Sequence, residues 1–221
     1  MVMVLRRHLI CGLGITGLLG GLALPLFVGS GVGAQQSNRR LVKAEDWAVK
    51  LIGAAESQVG LTTVYDPAYR RLAYPLGDVP MQRGVCTDVV IRAYRAAFGI
   101  DLQKLVHEDM RSAFAGYPAI WGLKRPDRNI DHRRVPNLEH FLKRRGADLP
   151  ITSDGADYRP GDLVTQLLPG NLPHIAIVTN RRAKGRDHAL VVHNIGAGTQ
   201  IEDRLFEFRI SGHFRVAPGI G

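Results

Sequence analysis

The apolar residues change period once, at Pro160-Gly161, and that change bounds the fold. Upstream they recur three and four apart: Leu41, Ala44, Trp47, Ala48, Leu51, Ile52 and Ala55, with Gly60 as a stop, then Val89, Val90, Ala93, Tyr94, Ala97 and Phe98, closed by Gly99. A further helix carries Leu102, Leu105, Val106, Met110 and Phe114 behind a capping Asp101, and Asn137 reads as the cap of a helix over 138–145. Downstream the pattern becomes short strand-like runs over 162–168, 174–179, 189–194, 205–210 and 213–216, separated by Gly, Pro, Asn and basic turns. Helices first and strands afterwards give an α+β class, in which an antiparallel sheet has one face covered by the helix that starts near Cys86. Residues 61–84 are rich in Tyr, Pro, Gly and Asp without either period, and read as an ordered loop leading to that helix.

The start of the chain reads differently. Arg6 and Arg7 precede an uncharged, Gly-rich apolar run over 9–28, followed by Val32-Gly33-Ala34, a small-residue cleavage pattern. Residues 1–34 are therefore expected to be an export signal, with a polar leader over 35–40 and one domain over 41–221. The Arg pair fits Sec and Tat export alike, and the destination is periplasmic or secreted. An uncleaved run would be the chain's one membrane contact.

About 187 residues remain after the signal, enough for one domain with its own core, and a monomer is expected. They hold 27 Lys and Arg against 20 Asp and Glu, a formal charge of +7. A basic protein outside the cytoplasm favours anionic envelope polymers as partners. The densest basic cluster, residues 181–186, falls between two strands without interleaved aromatics, so it reads as a solvated hairpin rather than a nucleic-acid surface.

Removing the signal also removes Cys11 and leaves one cysteine, Cys86. A lone thiol cannot form an internal disulfide, and a helix N-terminus stabilises a thiolate through its unpaired N–H groups. Cys86 is thus expected to be an activated nucleophile, alkylated well below pH 8. Such a nucleophile needs a base and a group that orients the base. His174, opening a strand after Pro173, is the expected base. The next strand ends in His193-Asn194; its successive residues face opposite sides, so His193 is the first choice to orient the base and Asn194 the second. For the oxyanion, the Cys86 backbone N–H is one donor and Tyr74 a second, with Tyr65 and Tyr69 as rivals. Asp88, Asp131, His132, Arg133 and Arg134 are candidates for substrate contact, an arginine meeting a carboxylate. Seven histidines follow the signal, but no His-Glu-x-x-His or Cys-x-x-Cys is present, so neither a metal nor a cofactor is expected.

The order of these elements, a Cys opening a helix, Pro160-Gly161-Asp162 before a strand, His174-Ile175-Ala176-Ile177-Val178, then a strand ending in a polar residue, resembles the NlpC-type papain-like cell-wall endopeptidases. In detail the chain is more similar to a bacterial family, domain of unknown function 1287. That resemblance rests on Gly84-Val85-Cys86-Thr87-Asp88-Val89-Val90, Asn129-Ile130-Asp131-His132-Arg133-Arg134-Val135-Pro136, Pro160-Gly161-Asp162 and His193-Asn194-Ile195-Gly196, and spans roughly residues 48–218. It implies a papain-like fold, a Cys86-His174-His193 triad and peptidoglycan stem peptides as substrate. The chain departs from the endopeptidases in having Cys-Thr-Asp where they show Asp-Cys-Ser, which bears on specificity. The expectation is an exported thiol hydrolase cleaving amide bonds through a thioester; the alternatives are a non-catalytic wall-binding module and an acyl transferase using the same triad.

Overall fold

A computed structural model describes residues 44–219, so the expected signal and leader lie outside the described residues. Helix α1 (Asp46–Glu56) buries Ala48, Leu51, Ile52 and Ala55, the stripe its spacing predicts. In the loop that follows, β1 (Val64–Tyr65) and β2 (Arg83–Gly84) form a short parallel pair, Val64 opposite Arg83 and Tyr65 opposite Gly84. Helix α2 (Cys86–Phe98) ends at Gly99, whose φ of 70° suits a residue without Cβ. Helix α3 (Leu102–Ala113) starts where the Asp101 side chain accepts the Gln103 N–H at 3.1 Å. Helix α4 (Val135–Arg144) begins earlier than expected, because Pro136 fits a first turn; Asn137 is no cap but a buried residue whose Nδ2 donates to Asp131 O at 3.1 Å.

The strands are β3 (Leu163–Leu168), β4 (Leu172–Arg182), β5 (Ala189–Asn194), β6 (Thr199–Glu202) and β7 (Arg209–Phe214), in the order β6-β5-β4-β3-β7 with every neighbour antiparallel. The first four make the expected meander, and β7 crosses back to the far edge beside β3. The strand expected over 205–210 is not formed as such. Thr199–Glu202 pairs with β5 instead, and Leu205 is buried in the turn that follows. Thr-Gln-Ile-Glu shows no apolar alternation to announce a strand.

Alternation along β4 divides the sheet's two faces. Ile175 and Ile177 pack with Leu163, Val192 and Phe214 beneath Val89, Val90 and Ala93 of α2. Ala176 and Val178 face the other way, with Val164, Val191, Tyr158 and Leu205. Each fully buried Val, Leu or Ile contributes roughly 1.5–3 kcal/mol, so α2 is fixed to the sheet along its length. The loop before it is held by Arg92. This side chain, 5% exposed, donates to both Asp78 oxygens at 2.9 and 3.1 Å, to the carbonyls of Val79 and Arg83 at 3.0 and 2.9 Å, and to Thr62 Oγ1 at 3.0 Å. Fold and loop together fix where Cys86 sits.

Candidate active site

Cys86 is the first residue of α2, and Val85 before it is extended. The residue after next supplies the cap: Asp88 Oδ2 accepts the Val85 N–H at 2.7 Å. Arg133 then binds Asp88 through two parallel contacts, Nε to Oδ1 and Nη2 to Oδ2, both 2.9 Å. Two further donors go to the carbonyls of Asp66 and Ala68 at 3.1 and 3.3 Å, while Thr87 Oγ1 donates to Arg133 O at 3.0 Å. Asp88, expected to contact substrate, is instead taken up by Arg133, which itself also lines the cleft beside Cys86. They form a buried ion pair that clamps the start of α2 to the 126–134 loop. On the other side Asn194 Nδ2 donates to Gly84 O at 3.1 Å, so Asn194 holds the approach to the cysteine rather than orienting a base.

The sulfur lies where β4 and β5 separate. Their last registered pair on this side is Ile177 with Val192, and the Ile175 N–H beyond it faces the Cys86 sulfur, as do the N–H groups of Thr87 and Cys86 itself. Burial nonetheless outweighs these donors, and with the nearby Asp88 charge it pushes the thiol up to about 11. The expected thiolate at rest is thus corrected to a protonated thiol: water is excluded more effectively than the helix terminus compensates.

His174 immediately precedes Ile175, and His174 Nε2 lies 2.9 Å from His193 Nδ1. His193 Nε2 in turn lies 3.0 Å from Glu202 Oε2. A carboxylate only accepts, so His193 carries its proton on Nε2. Burial lowers the pKa of both rings, His174 to about 3, and keeps them neutral at pH 7. His193 Nδ1 is then an acceptor, His174 donates from Nε2, and His174 Nδ1 is left as a bare lone pair. Among the described residues no hydrogen bond joins His174 to the sulfur: its ring follows the alternation of β4 onto the Ala176 side of the sheet, opposite Gln166, whereas Ile175 faces α2 and Cys86. Glu202 escaped the sequence reading because 199–202 was not read as a strand. Register would have exposed it: Val191 pairs with Glu202, which puts Glu202 diagonal to His193 on one face.

Cys86 opens into a cleft of about 410 Å³, lined among others by Tyr65, Tyr69, Trp121, Arg134 and Pro173. Tyr74 is not part of it; its ring stands edge-on to His107 at 5.2 Å, with the Arg128 guanidinium 5.6 Å from its centroid. The cleft tyrosines are its rivals. Tyr69 is engaged, donating to Asp127 Oδ2 at 3.0 Å and accepting from Asn129 at 2.9 Å. Tyr65, next to Gly84 across the β1–β2 pair, is pushed up to about 12 by burial and by Cys86 and Asp88, so its hydroxyl stays a donor. His132 is also no cleft residue: it is 2% exposed, and burial lowers it to about 3. Of the 131–134 candidates, Arg133 and Arg134 both line the cleft; Arg134, without a hydrogen bond among the described residues, is stacked 4.1 Å over Trp121, while Asp131 faces a smaller pocket behind it.

Comparison with known sequences places this architecture. The family model described as domain of unknown function (DUF1287) matches residues 52–216, which include Cys86, His174, His193 and Glu202. The chain belongs to this family. A DUF1287 relative, the uncharacterized protein YijF of Escherichia coli (strain K12), is 55% identical over 161 residues, covering 73% of this chain and 78% of that protein.

Proposed function

We propose that this DUF1287 protein is an exported thiol hydrolase with a papain-like arrangement, cleaving amide bonds of peptidoglycan stem peptides through a thioester. The observation that carries the proposal is the Glu202-His193-His174 chain. Its hydrogen bonds of 3.0 and 2.9 Å fix both tautomers and leave His174 Nδ1 with a free lone pair; because the ring shares the Ala176 face of β4, the proposal requires it to turn round the strand end to reach the Cys86 thiol. Burying two imidazoles in series against a carboxylate is costly, and a merely structural sheet needs no such chain.

In this reading substrate fills the cleft and its carbonyl carbon meets the sulfur. His174 Nδ1 takes the thiol proton as the S–C bond forms, and the developing imidazolium is stabilised through His193 by Glu202. The oxyanion is met by the Cys86 N–H and the Tyr65 hydroxyl. Collapse expels the amine, which receives the proton from His174, and water then releases the acid from the thioester by the same base. An acyl transferase would differ only in admitting an amine in place of that water. The basic surface suits an anionic envelope polymer.

The test is digestion of purified sacculi with the wild type and with Cys86→Ala, followed by mass analysis of released muropeptides. Release by the wild type and none by the variant supports hydrolysis; release by both, or by neither, refutes it.

A further inference from the structure

The cleft does not end at Trp121. Trp121 and Arg134 also line a second pocket of about 100 Å³, whose walls include Met110, Phe114, Leu123, Asp131 and Asn137. Three polar atoms of these lining residues are buried and unsatisfied: Asp131 Oδ1, Asn137 Oδ1 and Arg134 Nη1. Asp131 and Asn137 are each 0% exposed. Asp131 Oδ1 has only a 3.5 Å ion-pair contact with Arg134 Nη1, too poorly aimed to be a hydrogen bond. Arg133 beside it makes four hydrogen bonds to protein, whereas the Arg134 guanidinium makes no hydrogen bond among the described residues. Leaving a buried donor or acceptor unpaired costs about 1–3 kcal/mol, and two acceptors with one cationic donor in one small space describe a complementary solute.

We propose that this pocket is the subsite for the free α-amino-acid end of the substrate, its ammonium held by Asp131 and Asn137 and its carboxylate by Arg134. This rests on the cleft being a substrate site, and it names what that site selects: a peptide arm ending in a zwitterion, with a small apolar side chain toward Met110, Phe114 and Leu123. Trp121, under the arginine, separates the subsite from the sulfur and sets the reach between the recognised end and the bond cut.

Trp121 also provides the readout. In full-length Trp47→Phe, Cys86→Ala protein its fluorescence is titrated with D- and L-alanine, with alaninamide, which lacks the carboxylate, and with N-acetylalanine, which lacks the ammonium. Saturable binding of at least one alanine enantiomer is expected, with both blocked analogues at least about tenfold weaker, and Arg134→Gln and Asp131→Asn each lowering affinity by at least about tenfold. Circular dichroism of each variant confirms folding, and Arg134→Gln, at a partly exposed position, serves should Asp131→Asn unfold. No saturable change up to about 100 mM, blocked analogues that bind as well as alanine, or an undiminished response in folded Arg134→Gln would overturn the subsite. Alanine binding without turnover by the wild type would remove only the hydrolase; turnover without alanine binding would remove only the subsite.

Discussion

A thiol held at about 11, against an ordinary 9.0, makes a direct prediction for alkylation. At pH 7 the ionised fraction falls from about 1 in 10² to about 1 in 10⁴, a hundredfold loss. A more basic thiolate is intrinsically more nucleophilic; with a Brønsted slope of about 0.4–0.5, two units return close to tenfold. Cys86 should therefore react with iodoacetamide about tenfold more slowly than an ordinary thiol at pH 7, before any steric cost of its burial. The sharper signature is the slope, which access does not change: the rate should climb about tenfold per pH unit and still be rising at pH 10, where an ordinary thiol has levelled off. The assay follows carbamidomethylation of the Cys86 peptide by mass from pH 6 to 10, with glutathione as the reference and circular dichroism to exclude unfolding. His174→Ala should leave the profile below pH 8 almost unchanged, because a neutral ring contributes no charge. A plateau between pH 5 and 8, abolished in His174→Ala, would show a thiolate–imidazolium pair at rest and refute the burial argument.

Acid should unfold the protein through its buried histidines. His132 and His174 have folded values near 3 against 6.5, so the unfolded chain binds more protons in that window and stability is lost as pH falls. From pH 8 to pH 5 the two together cost about 4 kcal/mol, of which Asp131, raised to about 6, returns about 1. Urea unfolding at both pH values tests this, and His132→Asn should remove about half of the loss; equal stability at the two would contradict it. His174→Ala should lower kcat by about 10²–10⁴, and Glu202→Gln by less, with both proteins folding normally; an unchanged kcat in His174→Ala would remove it as base. Arg133→Met should destabilise by roughly 3–5 kcal/mol by stranding Asp88, measured as a fall in urea midpoint, whereas Arg134→Met should cost under about 1 kcal/mol.

Legibility in the sequence followed the range of the physics involved. The helices and the α+β class were readable because burial imposes a period, and Gly99 and Asp101 mark their own boundaries. Cys86 could be placed because helix starts are local. Pairing His174 with His193 needed only hairpin geometry and strand alternation. What could not be read was decided across the fold. Asp88 and Arg133 are 45 positions apart in an ion pair, and nothing local separates Arg133, with four hydrogen bonds to protein, from Arg134, which keeps its donors. Tyr74 and Tyr65 sit in the same irregular loop, and only the β1–β2 pair brings Tyr65 to Gly84. The thiol's resting state was misjudged for a related reason: a helix terminus is visible in sequence, whereas the burial that outweighs it comes from β4 closing over the sulfur.

That reversal bears on how the proposed hydrolase would work. A resting thiolate against a resting imidazolium would place two charges in a space that disfavours each. With both groups neutral the cost is deferred until substrate occupies the cleft. In the proposed mechanism charge separation would then coincide with attack, when the Tyr65 hydroxyl and the Cys86 N–H would acquire an oxyanion to meet and His193 and Glu202 a cation to balance. Glu202 suits that proposed role because it is only partly buried, its side chain 32% exposed and also contacted by Arg204 at 3.4 Å. Under this proposal the chain from partly exposed carboxylate through two buried rings grades polarity inward, and the thiol stays protonated until an amide carbonyl enters the cleft.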